Sequence, residues 1–266
     1  MKYLLYLNHP HDEKVYKVNK TKEKRARKYF STISTIETII DIRGKKIKAV
    51  VDYDIFNKYA NFDCFHCQDD CCGDNPMVYE QKTRKFILDN MEEYNNLTKN
   101  IDILEEMGLE TKEIKDSIKK DKCMAPEDFI ECEVKNCTCS YKKDNATTLC
   151  SIHSIALNKN LDFKEIVDLK PLVCSLWPLE ILVEDDMSIA YITLPDDFTN
   201  GFTAEDYYKI ACINYDLSTS PIFRRYNPEG FEEKDYKPFY EVYGDTLKYG
   251  LGEKFYNDII KKLEIE

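Results

Sequence analysis

The chain has 266 residues, of which 43% are apolar and 33% are charged, and it contains 19 tyrosines and 13 phenylalanines. This composition excludes an intrinsically disordered chain and predicts a folded protein with a buried core. The net charge of −11 argues against a nucleic-acid partner, because binding to phosphates needs a dominant basic surface.

Apolar runs are short throughout the sequence, and none reaches the roughly 18 residues that a membrane-spanning helix needs. The apolar stretch over residues 2–7 is too short for the core of a secretory signal, and polar residues follow it from His9 to Asp12. We therefore expect a cytoplasmic protein without a membrane partner. Thiols stay reduced in the cytoplasm, so the 11 cysteines predict metal ligands or redox groups rather than disulfides.

The N-terminal part of the chain predicts a β-hairpin. Residues 2–7 have the composition of a short strand. The basic run over residues 14–28 is typical of a solvated loop or helix face, with a docking patch for an anion as the alternative. Residues 35–42 and 46–53 are rich in Ile and Val and flank a turn at Gly44, a pattern that predicts two antiparallel strands.

A highly charged helical segment follows. Apolar side chains recur at helical spacing over residues 79–98, which predicts an amphipathic helix. A second helical stretch over residues 101–118 is predicted to break near Gly108. Together they predict a helical hairpin inserted between two cysteine-rich segments.

The rest of the chain predicts several helices and one further hairpin. After an irregular segment, the predicted elements are helices over residues 150–159 and 163–169, strands over residues 180–184 and 188–194, a helix over residues 203–214 and a mostly helical stretch over residues 238–263. Asp162 is the predicted N-cap of the helix at 163–169. Thr203 and Asp206 form a predicted capping box.

These elements predict a single α+β domain over residues 1–266, irregular and rich in loops, around a cysteine-thiolate metal centre. Its parts are an N-terminal β-hairpin region (1–60), a helical insertion (77–122) and a helical C-terminal region (195–266). The sequence shows no internal repeat and no low-complexity linker.

Four cysteines cluster in a short segment: Cys64, Cys67, Cys71 and Cys72. Two thiolates separated by two residues can turn back onto one metal ion, as in zinc and iron–sulfur sites. Gly73 permits the tight backbone that such a turn needs. Neighbouring side chains diverge, so either Cys71 or Cys72 is structural, or the two serve different metal ions.

More cysteines lie downstream, at Cys132, Cys137, Cys139, Cys150 and Cys174. Cys150 and His153 fall on the first turn of a predicted helix, where His153 is a candidate ligand, a hydrogen-bond partner of a ligand, or an ordinary helix histidine. His66 is predicted to point away from the first four thiols. Cys123 lies away from the motifs, and Cys212 fits an apolar helical pattern and is predicted to lie in the core.

The ordered motifs resemble those of the YkgJ-type cysteine-cluster proteins, which are described as zinc- or iron-chelating domains. The motifs are C-x2-C-x3-C-C from Cys64, Cys-x-Tyr from Cys139, Cys-x-x-His from Cys150, and Lys-Pro-x-x-Cys-x-x-Trp-Pro from Lys170 to Pro178. The resemblance covers roughly residues 60–180.

The resemblance implies seven metal ligands: Cys64, Cys67, Cys71, Cys72, Cys139, Cys150 and Cys174. Residues 77–131 form an insertion relative to the family pattern, and Cys132 and Cys137 are thiols that the pattern does not require. Whether these two cysteines or His153 also bind the metal stays open.

Seven thiolates exceed the four ligands of one zinc ion. They would suit two zinc ions or a 4Fe–4S cluster with spare thiols, and spacing does not decide between zinc and iron. The first hypothesis is therefore a protein that binds zinc or iron, with no assigned activity. The alternatives are an iron–sulfur-dependent protein lysine N-methylase, similar to the flagellin lysine methylases, and a thiol redox or metal sensor.

No glycine-rich nucleotide loop supports the methylase, because only eight glycines are present and Gly250-Leu251-Gly252 has no preceding strand. No thioredoxin-like βαβ pattern supports the redox sensor.

Overall fold

The computed structural model describes residues 3–7, 16–68, 81–119, 139–143, 147–199, 202 and 209–265. The described residues are 53% helical and 19% strand, which confirms the α+β class. Regular secondary structure dominates the described residues, whereas the sequence predicts a loop-rich chain. Much of the cysteine-rich sequence behind that prediction lies outside the described residues.

The chain divides into two compact units. The first contains the described residues up to His66 and from Leu176 onward, and the second contains those from Cys67 to Ser175. The boundary after His66 therefore falls inside the C-x2-C-x3-C-C motif. The boundary after Ser175 falls inside the Lys-Pro-x-x-Cys-x-x-Trp-Pro motif.

The α-helices, in chain order, are α1 (Lys20–Thr32), α2 (Gln81–Asp89), α3 (Met91–Thr98), α4 (Asn100–Glu106), α5 (Thr111–Lys119), α6 (Ser151–Asn158), α7 (Phe163–Leu169), α8 (Leu172–Leu176), α9 (Tyr215–Ser218), α10 (Pro221–Tyr226), α11 (Phe239–Val242), α12 (Gly244–Leu251) and α13 (Glu253–Leu263). The strands are β1 (Leu4–Tyr6), β2 (Tyr16–Lys17), β3 (Ile36–Ile42), β4 (Lys45–Val51), β5 (Tyr59–Ala60), β6 (Ser140–Lys143), β7 (Thr147–Cys150), β8 (Glu180–Glu184), β9 (Ile189–Thr193) and β10 (Lys237–Pro238). Short 3-10 helices span Tyr53–Asn57, Ala211–Ile213 and Glu233–Asp235. None of the helices in the described part of the chain has the length and apolar character needed to cross a membrane.

A six-stranded sheet lies in the first unit, with the strand order β2-β1-β8-β9-β4-β3. β3 and β4 pair antiparallel from Ile36–Val51 to Ile42–Lys45, around a turn where Gly44 has a φ of +84°. This confirms the first predicted hairpin. β8 and β9 also pair antiparallel, which confirms the second, and β4 and β9 run parallel.

From Lys20 onward the basic N-terminal run belongs to helix α1, which packs against the sheet, and Tyr16 and Lys17 form strand β2. Asn19 is the N-cap, and its side chain accepts hydrogen bonds from backbone N–H groups of the first turn. Tyr29 and Phe30 are buried in a core that includes residues of β1 and β8. Arg27 also contacts the sheet, because its guanidinium donates two hydrogen bonds to the carboxylate of Glu184 in β8, at 2.7 and 2.9 Å. The part of the run from Lys20 onward is thus a helix with one buried face, and the anion-docking role stays a prediction.

The C-terminal region is mostly helical over residues 238–263, as the sequence predicts. It forms three consecutive helices, α11 to α13. The last break is at Gly252, which has a φ of +100°. A Cβ atom at this position would lie 3.3 Å from the Cβ of Asp41 in β3, so glycine permits both the turn and the close approach. Of the predicted helix over residues 203–214, the stretch 203–208 lies outside the described residues, and the 3-10 helix Ala211–Ile213 stands at its end.

Helices α2 to α5 belong to the second unit. The helix predicted over residues 79–98 is two helices, because the chain breaks at Asn90, whose side-chain amide donates to the carbonyl of Phe86. The predicted break near Gly108 is confirmed, with a φ of +93° at that residue. The helices share one core with α6 and α7: Ile87, Tyr94, Leu104, Ile114, Cys139, Ile152, Ile155 and Ile166 are among its buried residues.

The N-cap prediction at Asp162 is confirmed. Its carboxylate accepts from the backbone N–H of Glu165 at 2.8 Å, and the carboxylate of Glu165 accepts from the backbone N–H of Asp162 at 2.9 Å. This reciprocal pair starts α7 at Phe163, as the sequence predicts.

Candidate metal centre

Five of the seven predicted ligands lie in the described residues. Cys64 belongs to the first unit, and Cys67, Cys139, Cys150 and Cys174 belong to the second. None of these five forms a disulfide. The other two predicted ligands, Cys71 and Cys72, lie outside the described residues, as do Cys123, Cys132 and Cys137.

Strands β6 and β7 form the hairpin that carries Cys139 and Cys150. Ser140 is paired with Cys150 across the ladder, so Cys139 stands opposite Ser151. The backbone N–H and hydroxyl of Ser151 both donate to the carbonyl of Cys139, at 2.6 and 2.9 Å. The Cys139 side chain is 2% exposed, and Cys150 packs against the same core. The hairpin therefore brings the Cys-x-Tyr and Cys-x-x-His motifs together.

Helix α6 starts directly after Cys150 and places His153 on its first turn. The half-buried imidazole loses hydration, and this burial lowers the pKa of His153 from 6.5 to about 4. The positive charge of Lys170 lowers the pKa further. His153 is therefore neutral at pH 7, which is the form that can bind a metal ion.

The influence of Lys170 on His153 also relates two of the sequence motifs. Lys170 starts the Lys-Pro-x-x-Cys motif and follows the last residue of α7. Pro171 then leads into α8, which carries the half-buried Cys174. The hydroxyl of Ser175 donates to the carbonyl of Val167 at 2.6 Å and ties α8 to α7. The second unit thus holds the Cys-x-x-His and Lys-Pro-x-x-Cys motifs within electrostatic range of each other.

Cys64 is exposed and lies in a turn that ends the described first-unit segment. Two residues on, the Nδ1 atom of His66 lies 2.8 Å from a carboxylate oxygen of Asp63. A Cβ atom at Gly230 would lie 2.9 Å from the Cβ of His66, so a glycine there lets the two segments approach.

Cys212 is a thiol that the sequence assigns to the core and the fold places elsewhere. It is half-buried, and its carbonyl accepts a hydrogen bond from the backbone N–H of Asn61 at 2.9 Å. Cys212 and Cys64 are both close enough to Tyr243 to affect its hydroxyl. Burial raises the pKa of Tyr243 well above its usual value, and the two thiols add to the rise. No motif in the sequence indicates this neighbourhood, because it arises from tertiary packing.

Thiol and imidazole groups are the kind of ligand that zinc and iron bind. The described residues do not bring enough of them together for a complete site. Within the described ranges, no three His, Cys, Asp or Glu side chains are arranged so that they could hold a metal ion. A tetrahedral zinc needs four ligands. The ligand set that the motifs predict also includes Cys71 and Cys72, which are outside those ranges.

Comparisons of the chain with protein-family models, curated proteins and solved structures find no match. The resemblance to the cysteine-cluster proteins therefore rests on the motifs alone.

Proposed function

We propose that the protein binds zinc or iron through the thiolates of its cysteine motifs, and that the metal stabilises the segments that carry them. The observation that carries the proposal is the β6–β7 hairpin. It pairs the Cys-x-Tyr motif with the Cys-x-x-His motif and leaves Cys139 and Cys150 on one core.

The apolar surroundings of these thiols set a condition for metal binding. A thiolate in an apolar core is costly unless an opposite charge compensates it, and a coordinated metal ion supplies that charge and deprotonates the thiol. The neutral imidazole of His153 lies one helical turn from Cys150 and is available as a ligand or as a hydrogen-bond partner. Thiolate ligands suit both zinc and iron–sulfur clusters, so both metals belong to the proposal.

The test is metal content per chain after purification without air. We expect about one or more zinc ions, or a brown protein with the iron and sulfide of a cluster. Replacing Cys139 or Cys150 with Ser should remove most of the metal, because each supplies a thiolate. Cys123→Ser is the matched control, since Cys123 belongs to none of the motifs.

Two results would refute the proposal. One is a wild-type protein that stays free of zinc and iron after anaerobic purification and after reconstitution with either metal. The other is equal metal loss in Cys123→Ser and in Cys150→Ser, which would place the metal elsewhere or make the loss unspecific.

A further inference from the structure

An open groove in the first unit combines aromatic rings with carboxylates. Its volume is about 530 Å³. Its aromatic residues are Tyr59, Phe198 and Tyr215, which are 55%, 48% and 38% exposed. Large aromatic rings are usually covered in a folded protein, and several at one concave surface are typical of a binding site.

The charge of the groove favours a cationic ligand. Three aspartates and one lysine line it: Asp196, Asp197, Asp216 and Lys58. The Nζ of Lys58 lies 3.3 Å from a carboxylate oxygen of Asp196, so these two charges offset each other. Asp197 and Asp216 make no salt bridge with any residue in the described ranges. Three carboxylates against two cations, Lys58 and the Arg25 that donates to the carbonyl of Asp197, leave the groove with one excess negative charge.

The groove wall already receives one cation of the protein itself. The guanidinium of Arg25 lies 5.1 Å from the ring centre of Phe198 and donates to the carbonyls of Asp197 and Phe198. A guanidinium over an aromatic face, with oxygen acceptors at its edge, is a favourable arrangement. Arg25 thus shows the kind of group that this wall can bind.

The walls of the groove are held in place from behind. Asp196 accepts from the backbone N–H groups of Phe198 and Thr199, each at 2.8 Å, which fixes the loop that carries Phe198. The ring of Tyr215 packs edge-on against buried Tyr236, with ring centres 5.2 Å apart. A site with fixed walls loses little entropy when it binds a ligand.

Tyr59 and Tyr215 give the groove a second place for a flat cation. Their ring centres are 6.3 Å apart, with an angle of 50° between the planes. Asp216, the next residue in the chain, lines the same groove as this ring pair. A guanidinium can stack on an aromatic ring and donate to a carboxylate at the same time, which a compact ammonium group does less well.

We propose that this groove binds an arginine side chain of a partner peptide, with the guanidinium against Tyr59 and Tyr215 and paired with Asp197 or Asp216. None of the residues that line the groove belongs to a cysteine motif, so this proposal does not depend on metal binding.

The test uses three blocked peptides with the sequence Gly-Gly-X-Gly-Gly, in which X is arginine, lysine or citrulline. Binding is followed by NMR shifts of the groove amides in the whole protein at fixed ionic strength. We expect the arginine peptide to bind at about millimolar Kd, the lysine peptide severalfold more weakly and the citrulline peptide not measurably. Equal binding of citrulline, or lysine binding as tight as arginine, would overturn the proposal.

Variants separate the groove from the general negative charge of the protein. The double substitution Asp197→Asn with Asp216→Asn should weaken the arginine peptide about tenfold. Tyr215→Leu should weaken it about threefold or more, because the ring contact is lost. Glu229→Gln neutralises an exposed acid that does not line the groove and should leave binding unchanged. Equal weakening by Glu229→Gln and by the double variant would refute the groove as the site.

Discussion

Protonation of His153 should cost the folded protein stability as the pH falls from 6.5 to 4. In the folded state, burial and the charge of Lys170 lower the pKa of His153 to about 4, and in the unfolded chain the group returns to 6.5. Between these values the unfolded state binds more protons, so stability rises with pH and is lost on acidification. From these two pKa values, the loss between pH 7 and pH 5 is about 2 kcal/mol.

The assay is urea unfolding of the wild type and of His153→Gln at pH 7, 6 and 5. The variant lacks the titrating group, so its loss of stability over this range should be smaller by about 2 kcal/mol. NMR titration of the imidazole signal gives the pKa directly, and His153→Gln assigns that signal among the four histidines. Equal pH dependence of the two proteins, or a measured pKa near 6.5, would refute the reasoning.

The contribution of Lys170 can be tested separately. Lys170→Gln removes the second cause of the shift, so the pKa of His153 should rise toward its ordinary value. Lys164→Gln is the matched control, because Lys164 is exposed and is not among the groups that shift His153. The same rise in both variants would mean that the effect is general charge rather than the proximity of Lys170.

Two further predictions concern stability. Tyr29→Phe should lower the free energy of unfolding by about 1–3 kcal/mol, because the hydroxyl of Tyr29 donates to the carboxylate of Asp52, which is 4% exposed. Urea unfolding measures this, and a loss below the error of the method would contradict it. Gly252→Ala should lower the melting temperature more than Gly108→Ala does. Both residues have positive φ, but only the new Cβ at Gly252 meets another atom, the Cβ of Asp41 at 3.3 Å. An equal shift in the two variants would show that the contact adds nothing to the backbone strain.

Local signals in the sequence account for much of the fold. The Asp162 cap and the hairpin turn at Gly44 follow from rules that act within a few residues, and the structure has both where they are predicted. The break at Asn90 was not predicted, because the apolar pattern of residues 79–98 continues across it. The side chain of an asparagine can compete for a backbone carbonyl without changing that pattern.

The candidate site is less accessible to sequence reasoning, because it depends on contacts between distant segments. Spacing alone indicates that Cys150 and His153 share one helical turn, and it does not indicate that Lys170 lowers the pKa of that histidine. Cys212 fits an apolar pattern and is nevertheless half-buried beside Asn61. Tertiary packing determines that Lys170 lies near His153 and that Cys212 lies beside Asn61. A sequence motif contains no information about which distant residues pack together.

The aromatic groove also could not be predicted from the sequence. Tyr59 and Tyr215 have no motif around them, and the pairing of β5 with β10 is what places the first of them. An excess of tyrosine in a sequence predicts core and surface packing equally well. Only the exposure of the rings and the position of the carboxylates beside them point to a ligand.

X-ray absorption at the metal edge, on protein purified without air, tests the central claim most directly. Coordination by the cysteine motifs predicts a first shell dominated by sulfur, at about 2.3 Å if the metal is zinc, and a loss of sulfur neighbours in Cys150→Ser. A first shell of oxygen and nitrogen alone, unchanged by that substitution, would contradict it.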